Sequence, residues 1–330
     1  MNRNAKSILI GVAAGLGAFG LCIFSTVIVQ AAARTFSDPE AVSTLMYLQT
    51  GRVIRFQKVE EQSVETPTTP EQTEPAVIPD QPEEVLAAFA QEDAQLVQVH
   101  SYCGYTANVQ TWLEQPLSWD LTQQEPTVLI IHSHATEGYA DTESSGYRTI
   151  DTDDNVVAVG AALKTALESK GIGVIHDITL HDSPSYSDSY ANSRETVEAY
   201  LEKYPSIALV LDIHRDAVTE DDGDEMAFSA QYNGQEAAQL MLVVGTDAGG
   251  LTHPDWESNM SLAVKLHAQL EKTCAGICRP ISFRSQRFNQ DLSPGALIIE
   301  VGGTGNTQQQ ALASVEILSQ AICTLAAGTQ

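Results

Sequence analysis

The chain has 330 residues, a formal net charge of −26 and a pI near 4.4. No basic stretch is dense enough to track a phosphate backbone, which excludes nucleic acid as a partner. The acidity favours solubility and repels anionic surfaces without naming a substrate. The length would allow two domains, but the first third does not read as a packed core, so one domain with accessory segments is expected.

Residues Ile8–Val29 carry no charge, enough for a helix to cross a bilayer. Arg3 and Lys6 precede this run, which keeps the N-terminus cytoplasmic and sends the rest of the chain outward. Gln30-Ala31-Ala32-Ala33 offers small residues for cleavage, so a removed signal peptide is the alternative to an uncleaved anchor. The length of the apolar run favours the anchor, with residues 1–34 as cytoplasmic stub and transmembrane helix. Residues 35–94 follow as a juxtamembrane segment and linker. Pro39–Phe56 reads as a short helix near the membrane. Val59–Asp93 holds ten acidic residues, five prolines and no Lys or Arg, the composition of a self-repelling, disordered linker. Aromatic residues return between Tyr102 and Trp119, read as an extended lead-in to the domain at 95–330.

The core, 127–326, alternates strand and helix. Strands are expected at Val128–Ile131, Ile172–Ile175, Ile207–Ile213, Ala238–Gly245 and Ala296–Val301. Helices are expected at Asn155–Ser169, Ser187–Tyr204, Asn259–Cys274 and Gln308–Ala326, with Val156, Val159, Leu163 and Leu167 near helical spacing in the first. Gly171 follows that helix as a C-terminal stop. This alternation predicts an α/β fold: an open, largely parallel sheet with helices on both faces. Cys274 and Cys278 are close enough to pair in an oxidising compartment. Cys103 and Cys323 read equally well as buried thiols, and no zinc-finger spacing exists.

The chemistry gathers at strand ends, where open α/β sheets bind ligands. His132-Ser133-His134-Ala135-Thr136-Glu137 follows the first core strand. His214 ends the strand Ile207–Ile213, and Glu300 ends the apolar run Ala296–Ile299. Two or three His/Glu ligands with a spare carboxylate suit a hydrolytic zinc site. His134 and Glu137 form an HxxE pair that one turn can aim at one ion, and Glu300 is available as the base. His132 is either a further ligand or a residue supporting one. Asp216 is a candidate for orienting a ligand imidazole. Arg215 is a candidate either for a substrate carboxylate or for pairing with Asp216. Asn289, Gln290 and Asp291 are candidates for lining a polar cleft, and a surface turn explains them equally well. His176-Asp177 and His181-Asp182 read as turn chemistry rather than a second metal site. Glu220–Glu225 lacks EF-hand spacing and reads as a solvated loop. Ser133 and Ser144 have no nucleophile-elbow motif around them.

The segments VLIIHSHATEGY (128–139), HDITLHDSPSYSDSYANSRETVEAYL (176–201), LDIHRDA (211–217) and NQDLSPGALIIEVGGTGNT (289–307) resemble the stage II sporulation protein P family. The resemblance covers about Thr127 to Ala326, and the anchor and acidic linker are similar to that family's layout. It implies a zinc-dependent peptidoglycan hydrolase related to N-acetylmuramoyl-L-alanine amidases, with endopeptidase activity on crosslinked stem peptides as a second capability. It further implies the engulfing membrane of a sporulating bacterium and a complex with stage II sporulation proteins D and M. By resemblance to the amidases, His134, Glu137 and His214 hold Zn2+ and Glu300 is catalytic. Those relatives carry the ligand glutamate just before the first helix, where this chain has Asp153, Asp154 and Asn155, so either Glu137 or Asp154 takes that role. A zinc carboxypeptidase-like hydrolase and a non-catalytic wall-binding scaffold are the alternatives.

Overall fold

A computed structural model describes residue 89 and residues 91–327, apart from 118, 120, 122–124, 143–145 and 221–222. All belong to one compact unit, Glu65–Gln330. The expected anchor Ile8–Val29, the helix at Pro39–Phe56 and the linker up to residue 88 lie outside the described residues.

Among the described residues seven strands form one sheet. Next to one edge, β2 (Val128–Ile131), buried at every position, lies between two parallel neighbours, the edge strand β3 (Val174–His176) and β4 (Leu209–Asp216). β4 pairs in parallel with β9 (Ala296–Gly303). On its far side β9 meets β7 (Leu240–Val244), and this pairing is antiparallel. Beyond it β8 (Ile281–Phe283) and β1 (Val99–Ser101) continue in parallel with β7. The sheet is therefore two parallel blocks joined along one antiparallel seam. Near-continuous Val/Ile/Leu runs make β2, β4 and β9, as burial on both faces requires.

Alternation along the strands sorts the core into two layers. Val128, Ile130, Leu211 and Ile299 pack with α1 (Val109–Glu114), α2 (Val156–Glu168), α4 (Trp256–Thr273) and α5 (Gln308–Ala327). Leu129, Ile131, Val210 and Ala296 point the other way, onto Val197, Tyr200 and Leu201 of α3 (Ser189–Lys203). Helices cover both faces, but unequally. α5 is long and apolar enough to cross a membrane by length and composition; its packing against α2 and α4 makes it a core helix.

Several expectations change in detail. The segment Tyr102–Trp119 is not simply extended, because Asn108 caps α1 by accepting a hydrogen bond from Thr111 N at 3.3 Å. The strand expected at Ala238–Gly245 is divided. Ala238 ends a hairpin of β5 (Ser229–Tyr232) and β6 (Gln235–Ala238), and β7 starts at Leu240. Asn233 and Gly234, at φ 50° and 80°, make the hairpin turn that an Asn-Gly pair favours.

Candidate metal centre

β2 stops at Ile131, and the chain turns sharply over His134–Glu137, with Glu137 N donating to His134 O at 3.2 Å. Val156 N donates to Glu137 O at 2.9 Å, which hooks the start of α2 onto this turn. Asn155 caps α2 through Val157 N and ties back to Thr149 O. The turn thus fixes His134 and Glu137 side by side. His214 arrives from the adjacent β4, and Glu300 is its register partner on β9. His214 and Glu300 alternate with Ile213 and Ile299, so both face the α3 side of the sheet.

His134 Nδ1 lies 3.5 Å from Glu137 Oε1, and His214 Nδ1 lies 3.4 Å from Glu137 Oε2. The two imidazoles meet edge to face at 5.0 Å. One ligand atom from each of the three residues falls within 4.8 Å of the others, and all three side chains are buried. Among the described residues this is the one such group of His, Cys, Asp and Glu. His214 Nε2 faces Asp212 Oδ1 at 2.8 Å. Tyr186 stacks on His134 at 4.4 Å, Arg148 lies over Tyr186 at 4.3 Å, and Tyr190 meets His134 edge-on. Arg148 also reaches Asp182 at 3.0 Å and Glu137 at 3.6 Å.

Burial alone would push Glu137 up, but Arg215 and the two imidazoles outweigh it and hold the carboxyl well below its usual range. Burial would lower His214, yet Asp212 and Glu137 hold it well above its usual value. Burial lowers His134. Glu300 is pushed up to about 8 by burial, with the Asp216 charge adding to it.

The donor set fits a divalent transition metal. It offers two imidazole nitrogens and a carboxylate oxygen, the ligand types of a hydrolytic zinc site. His214 Nδ1, the nitrogen that faces Glu137, and Glu300 Oε2 are both buried without a hydrogen-bond partner. Buried polar atoms left this way are costly, and an ion or its water would satisfy them.

The structure separates the other candidates. His132 does not join the cluster. It turns to the α2 side, where Nδ1 donates to Ile213 O at 2.9 Å and Nε2 meets His176 Nε2 at 2.8 Å. Because β2 ends at Ile131, His132 and His134 no longer share a strand face. Asp154, at the mouth of α2, is not part of the donor group; Glu137 is. Arg215 does not pair with Asp216 and is buried away from solvent. Its Nε donates to Gly138 O at 2.8 Å, Nη2 to Tyr147 O at 3.0 Å, and its backbone N to Glu137 Oε2 at 3.1 Å. Asp216 does not orient an imidazole. It pairs with Arg279 at 2.7 Å, and a bulge explains why. His214 pairs with Glu300 but Asp216 with Gly303, so β9 carries one extra residue there, with Gly302 at φ 73°.

The polar cleft expected at Asn289, Gln290 and Asp291 is instead a set of internal ties. Buried Gln290 accepts from Gly245 N at 2.7 Å and donates to Val243 O at 2.8 Å. Asn289 donates to Tyr190 O and Ser193 Oγ, and Asp291 takes a two-pronged contact from Arg194 at 2.9 and 3.0 Å. Asp177 Oδ1 accepts from Thr179 N at 3.0 Å, a local turn, whereas His181 Nδ1 makes a long-range bond to His132 O at 2.9 Å. Asp212, Arg148, Tyr186 and Tyr190 escaped the sequence reading. Asp212 was the findable one: it stands two residues before His214 on one strand, which places both on one face.

The fold and site define an α/β domain with a candidate metal centre at the C-terminal edge of its larger parallel block. The family described as Stage II sporulation protein P (SpoIIP) matches residues 40–323, and the chain belongs to that family. A curated relative, Stage II sporulation protein P of Bacillus subtilis (strain 168), is 29% identical over 217 residues, covering 60% of this chain and 52% of the relative. The chain thus spans about half the length of the curated relative it matches. Solved structures with similarity include the N-acetylmuramoyl-L-alanine amidase AmiC2 of Nostoc punctiforme, at 15% identity, TM-score 0.36, 61% of this chain and 95% of that one. The CwlD amidase from Clostridioides difficile, solved in complex with the GerS lipoprotein, gives 14%, 0.36, 62% and 96%. The amidase Ami1 from Mycobacterium smegmatis gives 9%, 0.38, 63% and 99%.

Proposed function

We propose that this chain is a membrane-anchored, zinc-dependent peptidoglycan hydrolase that cuts the amide between N-acetylmuramic acid and the stem peptide, with stem-peptide crosslinks as a second substrate. It acts in septal wall thinning and engulfment during sporulation, held by Ile8–Val29 in the engulfing membrane and working with stage II sporulation proteins D and M. Family membership supports the setting. The observation that carries the chemistry is the convergence of His134, Glu137 and His214 beside Glu300.

In this reading His134, Glu137 and His214 hold Zn2+. The ion, when bound, supplies a Lewis acid and a water of lowered pKa. Glu300 takes a proton at its carboxylate and returns it to the leaving amine. In the metal-free site burial and the Asp216 charge raise its pKa to about 8, so the carboxylate takes up a proton readily. Arg215, by donating its backbone N–H to Glu137 Oε2, holds that carboxylate toward the two imidazoles.

The purified chain is expected to release peptide from sacculi with zinc and to stop when a chelator is added. Glu300→Ala should keep the metal and lose about 10²–10⁴-fold in rate. New lactyl carboxylates among the products identify an amidase, whereas free C-terminal amino acids identify a carboxypeptidase. Full activity in Glu300→Ala would remove Glu300 from the mechanism, and activity indifferent to chelation would remove the metal.

A further inference from the structure

Asp212 is a carboxylate inside the sheet, 7% exposed, between Leu211 and Ile213 of β4. A buried carboxylate is costly unless it is fully occupied. Here Oδ1 accepts from Ser133 N at 2.8 Å and Oδ2 from Ser133 Oγ at 2.6 Å, while Oδ1 also faces His214 Nε2 at 2.8 Å. The Ser133 hydroxyl, having given its proton to Asp212, is left to accept from Ser193 Oγ at 2.8 Å, a shorter contact than the 3.4 Å from Ser193 Oγ to Tyr190 O. Ser193 Oγ in turn accepts from Asn289 Nδ2 at 3.0 Å. The donors therefore point one way: Asn289 to Ser193 to Ser133 to Asp212. Such a chain polarises its members toward the terminal carboxylate. It joins the loop before β9, the first turns of α3, the end of β2 and β4 at one imidazole.

That imidazole has two sides. Nδ1 faces Glu137, and Nε2 faces Asp212. An ion shared with Glu137 needs the lone pair on Nδ1, which leaves the ring proton on Nε2. The acceptor facing that nitrogen is Asp212 Oδ1, 2.8 Å away but off the line of a good hydrogen bond. An imidazole whose far N–H is held by a carboxylate is fixed in tautomer and ring orientation and is a better ligand.

We propose that Asp212 is a positioning residue: at the end of the Asn289–Ser193–Ser133 relay, it holds His214 with its proton on Nε2 and presents Nδ1 to the metal. The proposal rests on His134, Glu137 and His214 being the zinc ligands, as in the proposed function. It also gives Asn289 a place in the protein, as the far end of a support reaching a ligand.

The test uses the full purified chain and zinc itself. Zinc affinity is measured by competition with a chromogenic chelator, and the His214 tautomer by ¹⁵N–¹H correlation of the ring in the zinc-loaded protein. Wild type should show a protonated Nε2 and an unprotonated Nδ1. Asp212→Asn should weaken zinc by about 10–100-fold. Ser133→Ala, which leaves the carboxylate in place, should weaken it by less, about 3–10-fold on the same scale. Asn289→Ala should have the smallest effect. Co2+ in place of zinc should show an altered visible spectrum in Asp212→Asn, which a purely structural role in a folded chain does not cause. If Asp212→Asn does not fold, Ser133→Ala and Ser193→Ala carry the same test. Unchanged zinc affinity in the folded variants, or a proton on Nδ1 of wild-type His214, overturns the proposal. A wild-type chain that binds no zinc overturns both this and the metal reading. A chain that binds zinc through this relay yet releases no peptide overturns the hydrolase reading alone.

Discussion

Two pairs of histidines lie on opposite sides of the same strand ends. On the α2 side, His132 and His176 face each other at 2.8 Å. On the α3 side, the His134 and His214 ring centres lie 5.0 Å apart, much as the 5.1 Å of His132 and His176, but with Glu137 between their Nδ1 atoms. His132 and His134 are two residues apart in sequence. The difference is the company each keeps. His132 is driven to about 3 by burial, with His176 adding, and His176 to about 4 by burial. Both nitrogens of His132 are occupied, by Ile213 O and by its partner imidazole. On the other side the carboxylates of Glu137 and Asp212 create a place for positive charge. Histidine proximity alone does not gather a metal-type donor set; a carboxylate inserted between the two imidazoles does.

The largest expected effect breaks the α3-side pair. His214→Ala and Glu137→Ala should each abolish stoichiometric zinc binding, read by elemental analysis of the purified chain. His132→Asn should retain the zinc and lose fold stability instead. If His132→Asn also emptied the site, the separation of the two faces would be wrong.

Next comes pH. His132 and His176 bind protons less well in the folded chain than in the unfolded one. As pH falls through about 6.5 the unfolded state takes up protons first, so stability declines toward pH 4, by on the order of 2–4 kcal/mol. Urea unfolding of the metal-free chain at pH 7, 5.5 and 4.5 measures this. His176→Gln should flatten the profile relative to wild type, and an identical slope would sink the assignment.

A smaller effect tests the packing of the same pair. A Cβ on Gly160 of α2 would lie 2.6 Å from His132 Nε2 and 2.7 Å from His176 Nε2. Gly160→Ala should cost about 1–3 kcal/mol by overpacking, despite alanine's better helix propensity. Zinc affinity should stay as in wild type. A stabilised variant in thermal melts would show that the helix gives way without loss.

The smallest expected effect is at Tyr186. Tyr186→Phe keeps the ring on His134 and should leave zinc affinity within about twofold, well under 1 kcal/mol. Tyr186→Ala removes an aromatic stack of about 0.5–1.5 kcal/mol and should weaken zinc several-fold. Equal effects of the two variants would mean that the hydroxyl, not the ring, supports His134.

Much of the fold was legible in the sequence because burial writes itself locally. Runs such as Val128–Ile131 and Leu209–Ile213 have few alternatives to a strand covered on both sides. Val156, Val159, Leu163 and Leu167 mark α2 by their spacing, and Gly171, at φ 84°, takes the left-handed position behind it. HxxE placed His134 and Glu137 within one turn, and strand ends placed His214 and Glu300 at one edge. The sheet's antiparallel seam and the short strands β1 and β8 were not legible, since pairing partners depend on distant segments. The facing of polar residues was not legible either. It turned on where β2 stops, which sent His132 to the other face, and on one extra residue in β9, beside which Asp216 turns to Arg279. By itself the sequence determined residue chemistry and strand-scale periodicity, both properties of neighbours along the chain. Which imidazole faces which carboxylate was decided by the tertiary structure, because register and bulges fix side-chain direction only when strands are paired.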